Sequence, residues 1–170
     1  FDMTICQEMR VDHGLTVPLN LMWPGHQYGH VKVIPVCINC EQYPMAQPWR
    51  TFELGRAIGR AVASYEEDIN VVVFGTGGMS HQLDGERAGF INRAFDIDCL
   101  DKLVSDPEAL TKYTNLDLVE QGGAQAVELN MHIAMRGTLL GKVTELHRNY
   151  HAPISNTGSG LMLLEHEMPK

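Results

Sequence analysis

The chain has 170 residues, enough for one domain with a real core but short for two. Its 44% apolar and 20% charged residues are the shares of a globular protein, and no apolar run approaches the ~20 residues that span a bilayer. A net charge of −8 argues against nucleic acid or a membrane surface as partner, so recognition of an anionic substrate would have to be local.

Phe1-Asp2-Met3-Thr4-Ile5-Cys6 alternates like a strand. A chain that opens on Phe1 inside such a pattern reads as one piece of a longer polypeptide. Asp12 to Leu19 predicts a loop entering a short helix, with Pro18 in its first turn. Trp23 to His30 is a turn-rich connector, and a strand is expected at 31–38. Cys37 and Cys40 would point to opposite faces of an extended strand, and Cys6 and Cys99 form no second pair for zinc. Reduced, buried thiols in a cytoplasmic protein are therefore expected.

Phe52, Leu54, Ala57, Ile58, Ala61 and Val62 predict the apolar face of a helix over 51–65, with Glu53, Arg56 and Arg60 opposite. Val71-Val72-Val73-Phe74 reads as a buried strand. Strand, helix and strand with short joints predict an α/β fold: a central mixed sheet flanked by helices, in one domain over 1–170. Ser105-Asp106-Pro107-Glu108 starts a further helix. Glu120 to Arg136 is the clearest late helix, ended by Gly137, and another is expected at about 139–149. A polar turn over 150–160 leads to a last strand, Leu161 to Leu164.

The strand at 71–74 runs into Gly75-Thr76-Gly77-Gly78-Met79-Ser80-His81, at the edge where open α/β sheets hold ligands. Glycine lets a substrate approach the main chain, and a histidine there can move protons near neutral pH. A plain turn with a solvated histidine fits the same pattern. His13, in an Asp-His-Gly loop, is the other candidate histidine, whereas His26, His30 and His166 read as solvated. Glu128 stands among apolar residues and is either a buried carboxylate in need of a partner or a glutamate on a wet helix face. His132 lies one turn further, as half a metal site or as an ordinary helix neighbour. Taken alone, His13, His81 and Glu128 offer a two-histidine, one-carboxylate set of the kind that holds non-haem Fe(II).

The opening Phe-Asp-Met-Thr-Ile, Val11-Asp12-His13-Gly14-Leu15-Thr16-Val17-Pro18-Leu19 and Gly75 to Leu83 form an ordered series of motifs. Val127-Glu128-Leu129 before Met135-Arg136-Gly137, and Tyr150-His151 before Ser155-Asn156-Thr157, complete it. Together they resemble the catalytic β subunit of protocatechuate 4,5-dioxygenase and its relatives, including gallate dioxygenase, the class III extradiol ring-cleaving enzymes. The resemblance implies cleavage of a carboxylated catechol (protocatechuate, gallate or a methylated gallate) by O2 at an Fe(II) centre, in the breakdown of aromatic, lignin-derived compounds. It implies that Glu128 is an iron ligand, with two histidine ligands on a missing N-terminal segment. His81 then matches the acid/base, His13 a second active-site histidine, and Ser155 and Asn156 the contacts to the substrate carboxylate. A small helical α-type subunit or domain and a homo-oligomer are the implied partners. His132, where a bulky apolar residue is more usual, and the connector at 23–30 depart from the pattern.

Two rival expectations remain. One is a metal-dependent hydrolase using His13, His81 and Glu128 directly as ligands; the other is a non-catalytic assembly subunit on the same scaffold.

Overall fold

The computed structural model describes residues 1–167 apart from Asp2, Tyr28 and the side chain of His26. Its contacts divide the chain into two compact units, Phe1–Cys37 and Ile38–Lys170.

In the first unit, α1 spans His13–Met22. Asp12 caps it, its carboxylate accepting the Gly14 N–H at 3.0 Å. The cap starts the helix earlier than the sequence suggests, so Pro18 lies in its middle rather than its first turn. Of the first expected strand, Asp2 is outside the described residues, and the rest forms no β ladder among them. Residues 31–38 form none either.

The second unit is built on helices. α2 spans Pro48–Ala63, α3 Arg93–Ser105, α4 Pro107–Leu110, α5 Asn115–Gly122 and α6 Leu129–Thr138. The expected start at 105–108 is met, with Pro107 in the first turn of α4 and Asp106 accepting the Ala109 N–H. Helix α2 is also where the periodicity puts it, but of the expected apolar face only Phe52 is buried, in a stripe with Pro48, Thr51, Gly55 and Gly59. A Cβ at Gly55 would collide with the Ala134 carbonyl, and one at Gly59 with the Thr138 carbonyl. Glycine carries no weight in a hydrophobic pattern, yet here it lets α2 lie directly against α6.

The core gathers Phe52, Met79, Phe95, Cys99, Leu100, Leu103, Leu110, Leu118, Leu129 and Ile133. Burial pushes the Cys99 thiol up to about 12. The expectation of buried thiols holds for Cys99 alone: Cys40 is half-buried, Cys6 and Cys37 are exposed, and all four are free.

Three further expectations are corrected. The single late helix is broken at Gly123, which adopts φ +95° and sits so close under the His81 carbonyl that a Cβ would strike it. A 3₁₀ turn, Ala124–Glu128, intervenes before α6. The expected helix at 139–149 is instead β1, Val143–His151, antiparallel to β2, Ser159–His166. A register irregularity between Glu145 and His147 breaks its alternation, which hides the strand's period of two. The fold is thus mixed α/β, and its described sheet has two strands. Residues 71–74 join no ladder among the described residues, and Val72 is 70% exposed. No helix of the described residues is long and apolar enough to cross a membrane.

Candidate active site

The glycine-rich turn after residue 74 is pinned at three points along α6 and its start. Gly75 packs against the backbone of α6 at Met131 and His132. Gly77, at φ +126°, turns its carbonyl to the buried His132, whose Nε2–H donates to it at 3.0 Å. Burial holds the His132 imidazole below its usual range, so the ring is neutral and its Nε2 proton is committed to that carbonyl. The next peptide N–H, of Gly78, donates to Glu128 Oε2 at 2.6 Å, across fifty residues of sequence.

Glu128 closes the 3₁₀ turn at the start of α6, where the helix dipole favours a carboxylate. Its side chain is 30% exposed, and no Lys or Arg pairs with it among the described residues. Only Oε2 takes a hydrogen bond among those residues, so Oε1 keeps its lone pairs for another partner. Its negative charge also contributes to raising the half-buried Cys40 thiol, after burial itself.

His81 is nearly enclosed, and its ring faces the same carboxylate. Nδ1 lies 3.0 Å from the Met79 carbonyl, an oxygen that can only accept, so Nδ1 carries the proton. In the neutral ring Nε2 is then the basic nitrogen, 3.9 Å from Glu128 Oε2. That separation is too long for a hydrogen bond, so the two groups share a niche without consuming one another. The structure therefore brings together two residues that the sequence could only hope were neighbours.

The same turn is stitched to the β1–β2 loop. Met79 N–H donates to the Gly158 carbonyl and Gly158 N–H to the Ser80 carbonyl, both at 2.8 Å, and His81 bridges Thr157. Ser155 and Asn156 occupy this loop, both exposed. Asn156 takes a left-handed conformation, φ 56°, and its side-chain amide lies against Gly89. The Ser155 hydroxyl has no partner among the described residues. A polar loop thus runs beside the histidine. His13 opens α1 in the other unit, where its side chain is exposed.

Beneath the turn lies a group that sequence reading missed. Asp96 is fully buried, and no cation pairs with it among the described residues. Oδ1 accepts the Ser80 N–H at 2.8 Å; Oδ2 accepts the Ser80 and Tyr150 hydroxyls at 2.6 and 2.7 Å. Burial and the bond to Asp96 push the Tyr150 phenol well above its usual value. In sequence Asp96 is one of three nearby aspartates on α3, and nothing there separates it from Asp98 and Asp101, both exposed.

Among the described residues no group of three or more His, Cys, Asp or Glu side chains is placed to hold a metal ion. Glu128 nevertheless suits a hard divalent cation: it is anionic, half open, without a counter-ion and with one oxygen free. His132, the candidate other half of a metal site, donates its Nε2–H to the Gly77 carbonyl and joins Glu128 in no such group among the described residues.

Residues 1–160 match the family model described as the catalytic LigB subunit of aromatic ring-opening dioxygenase. Gallate dioxygenase of Pseudomonas putida is 38% identical over 165 residues, covering 97% of this chain and 48% of that protein. A 2,3-dihydroxyphenylpropionate/2,3-dihydroxicinnamic acid 1,2-dioxygenase of Photorhabdus laumondii is 39% identical over 80 residues, 47% of this chain and 24% of that one. Its counterpart in Paraburkholderia phymatum is 40% identical over 81 residues, 48% and 24%. The chain therefore spans about half the length of the first of these relatives, and the matched half of it covers about a quarter of the others. With the match running over nearly its whole length, the chain belongs to the catalytic LigB-subunit family of aromatic ring-opening dioxygenases.

Proposed function

We propose that this chain is part of an extradiol dioxygenase that opens the ring of a carboxylated catechol with O2, with Glu128 as an iron ligand and His81 as the acid/base. The observation that carries this reading is the pairing of a basic Nε2 on His81 with an uncompensated carboxylate 3.9 Å away. One carboxylate cannot hold iron alone, so two histidine ligands would come from polypeptide outside these 170 residues. When bound, Fe(II) would act as a Lewis acid on the catechol oxygens and relay electrons from the aromatic ring to O2.

The chain's own residues supply the proton handling. His81 Nε2 accepts a hydroxyl proton, while the Nδ1–H bond to Met79 keeps the ring from turning away. The proton is then held on Nε2, on the side facing Glu128, where it can be returned to a departing oxygen. Ser155 and Asn156, on the loop bridged to His81, would bind the substrate carboxylate with a hydroxyl and an amide. Such local donors answer the problem set by a net charge of −8. For His13 the support is its motif alone: it would hydrogen-bond the substrate or O2. The broad match to a gallate dioxygenase favours a gallate-type acid as substrate over a phenylpropionate. A small α-type subunit and a homo-oligomer complete the proposed assembly.

The test is O2 uptake by the complete Fe(II)-loaded protein with gallate, protocatechuate and 2,3-dihydroxyphenylpropionate, in parallel with a His81→Ala variant. The expected result is stoichiometric loss of the aromatic substrate, abolished in the variant although iron is retained. Equal turnover in both proteins would remove His81 from the chemistry.

A further inference from the structure

We propose that Asp96 is the positioning residue for His81, acting through the single peptide group that joins Met79 to Ser80. This inference rests on the reading of His81 as the proton carrier. The N–H of that peptide donates to Asp96 Oδ1 at 2.8 Å, and its carbonyl accepts the His81 Nδ1–H at 3.0 Å. In a planar trans peptide the two groups point in opposite directions, so the carboxylate and the imidazole sit at the two ends of one rigid unit.

Two consequences follow. The charge on Asp96 polarises the peptide and makes the Met79 oxygen a stronger acceptor, since hydrogen bonds in a chain reinforce one another. A stronger acceptor holds the proton on Nδ1 and leaves Nε2 as the free base. Asp96 thereby performs, at one peptide's remove, the task that a carboxylate bonded directly to histidine performs in a catalytic triad: it selects the tautomer and fixes the ring.

The surroundings fit that task. A fully buried carboxylate without a cation is costly, and three donors are aimed at it: Ser80 N–H, Ser80 O–H and Tyr150 O–H. Ser80 Oγ in turn accepts the Asn92 N–H at 2.9 Å, which ties the hydroxyl to the cap of α3. Gly158 packs so tightly against Asp96 that a Cβ there would strike Oδ2. The carboxylate has no room to swing, so the peptide it holds has none either.

The experiment compares wild type, Asp96→Asn and Asp96→Ala in the complete enzyme that contains this chain. Nitrogen-15 labelled histidine, with Zn(II) in place of iron, reports the His81 tautomer; the Fe(II) forms report kcat, KM and iron content. Asparagine preserves shape and an acceptor for Ser80 N–H but removes the charge. The expected result is a weaker Nδ1–H bond in the asparagine variant, seen as an upfield shift of that proton, and mixed tautomers in the alanine variant. With Fe(II), kcat should fall on the order of tenfold or more while KM and iron content hold. An unchanged His81 proton signal in Asp96→Asn would overturn the proposal, and that variant serves even if the alanine protein does not fold. A His81→Ala enzyme that still turns over would instead refute the functional reading, leaving the tautomer measurement to judge the link between Asp96 and His81.

Discussion

Replacing Gly78 by alanine should disable the site while leaving the fold largely intact. A methyl group there would stand 2.7 Å from His81 Cε1, 2.8 Å from Thr157 Cγ2 and 2.9 Å from His81 Nδ1. Ordinary contact begins at 3.4 Å, so the imidazole must retreat by about 0.7 Å. It cannot do so freely, because Nδ1–H is bound to the Met79 carbonyl and the residue is bridged to Thr157. Gly78 itself is outside the left-handed region, so backbone strain adds nothing and the effect passes through the contacts with the His81 ring and the Thr157 methyl. A misplacement of this size costs about 100-fold in rate, whereas overpacking costs about 1–3 kcal/mol of stability. Steady-state turnover of the complete Fe(II) enzyme, iron content and thermal unfolding measure the three quantities. The Gly78 N–H survives the substitution and still meets Glu128, so iron should be retained. A variant that keeps kcat within about twofold of wild type would show that the position of this imidazole does not limit the reaction.

Glu128→Gln removes the charge but keeps an oxygen for the Gly78 N–H, so iron affinity should fall by about tenfold or more with an unchanged circular-dichroism spectrum. Metal titration checks it, and undiminished affinity would dismiss Glu128 as a ligand. His132 gives a pH effect. Burial holds its folded-state pKa below 6.5, so its contribution to stability is complete above pH 6.5 and is lost as the pH falls below that value. Urea midpoints over a pH series should therefore decline on the acid side less steeply in His132→Gln than in wild type; parallel curves would contradict the assignment. Gly55→Ala should destabilise the second unit by about 1–3 kcal/mol, despite alanine's better helix propensity. The new methyl meets the rigid backbone of α6 at Ala134, not a side chain that can turn aside. Denaturant unfolding would show this, and a stabilised variant would mean that the two helices can separate freely.

Local signals carried much of the way from sequence to fold. The helix read at 51–65 from its periodicity is found at 48–63, and the start of α4 could be read from Asp106 and Pro107, because both depend on residues a turn apart. Non-local facts were hidden. The break at Gly123 exists because the chain must pass beneath the His81 carbonyl, a contact between distant segments. The strand at 143–151 was masked by the irregularity after Glu145, which disturbs the alternation on which strand recognition depends. For the site, the motifs named Glu128 and His81, yet only packing shows that they face one niche. Asp96 left no trace at all, since its task is carried by the backbone N–H of Ser80, and a hydrogen bond to a peptide leaves no pattern in side chains.

The most direct measurement is the structure of the complete protein with Fe(II), solved without O2 and with a bound catechol acid. The account predicts a Glu128 oxygen about 2.0–2.2 Å from the metal, with the His81 Nε2 outside the ligand sphere and within hydrogen-bond reach of a substrate oxygen. An ion bound directly by His13, His81 and Glu128 together, or a metal bound away from Glu128, would contradict it.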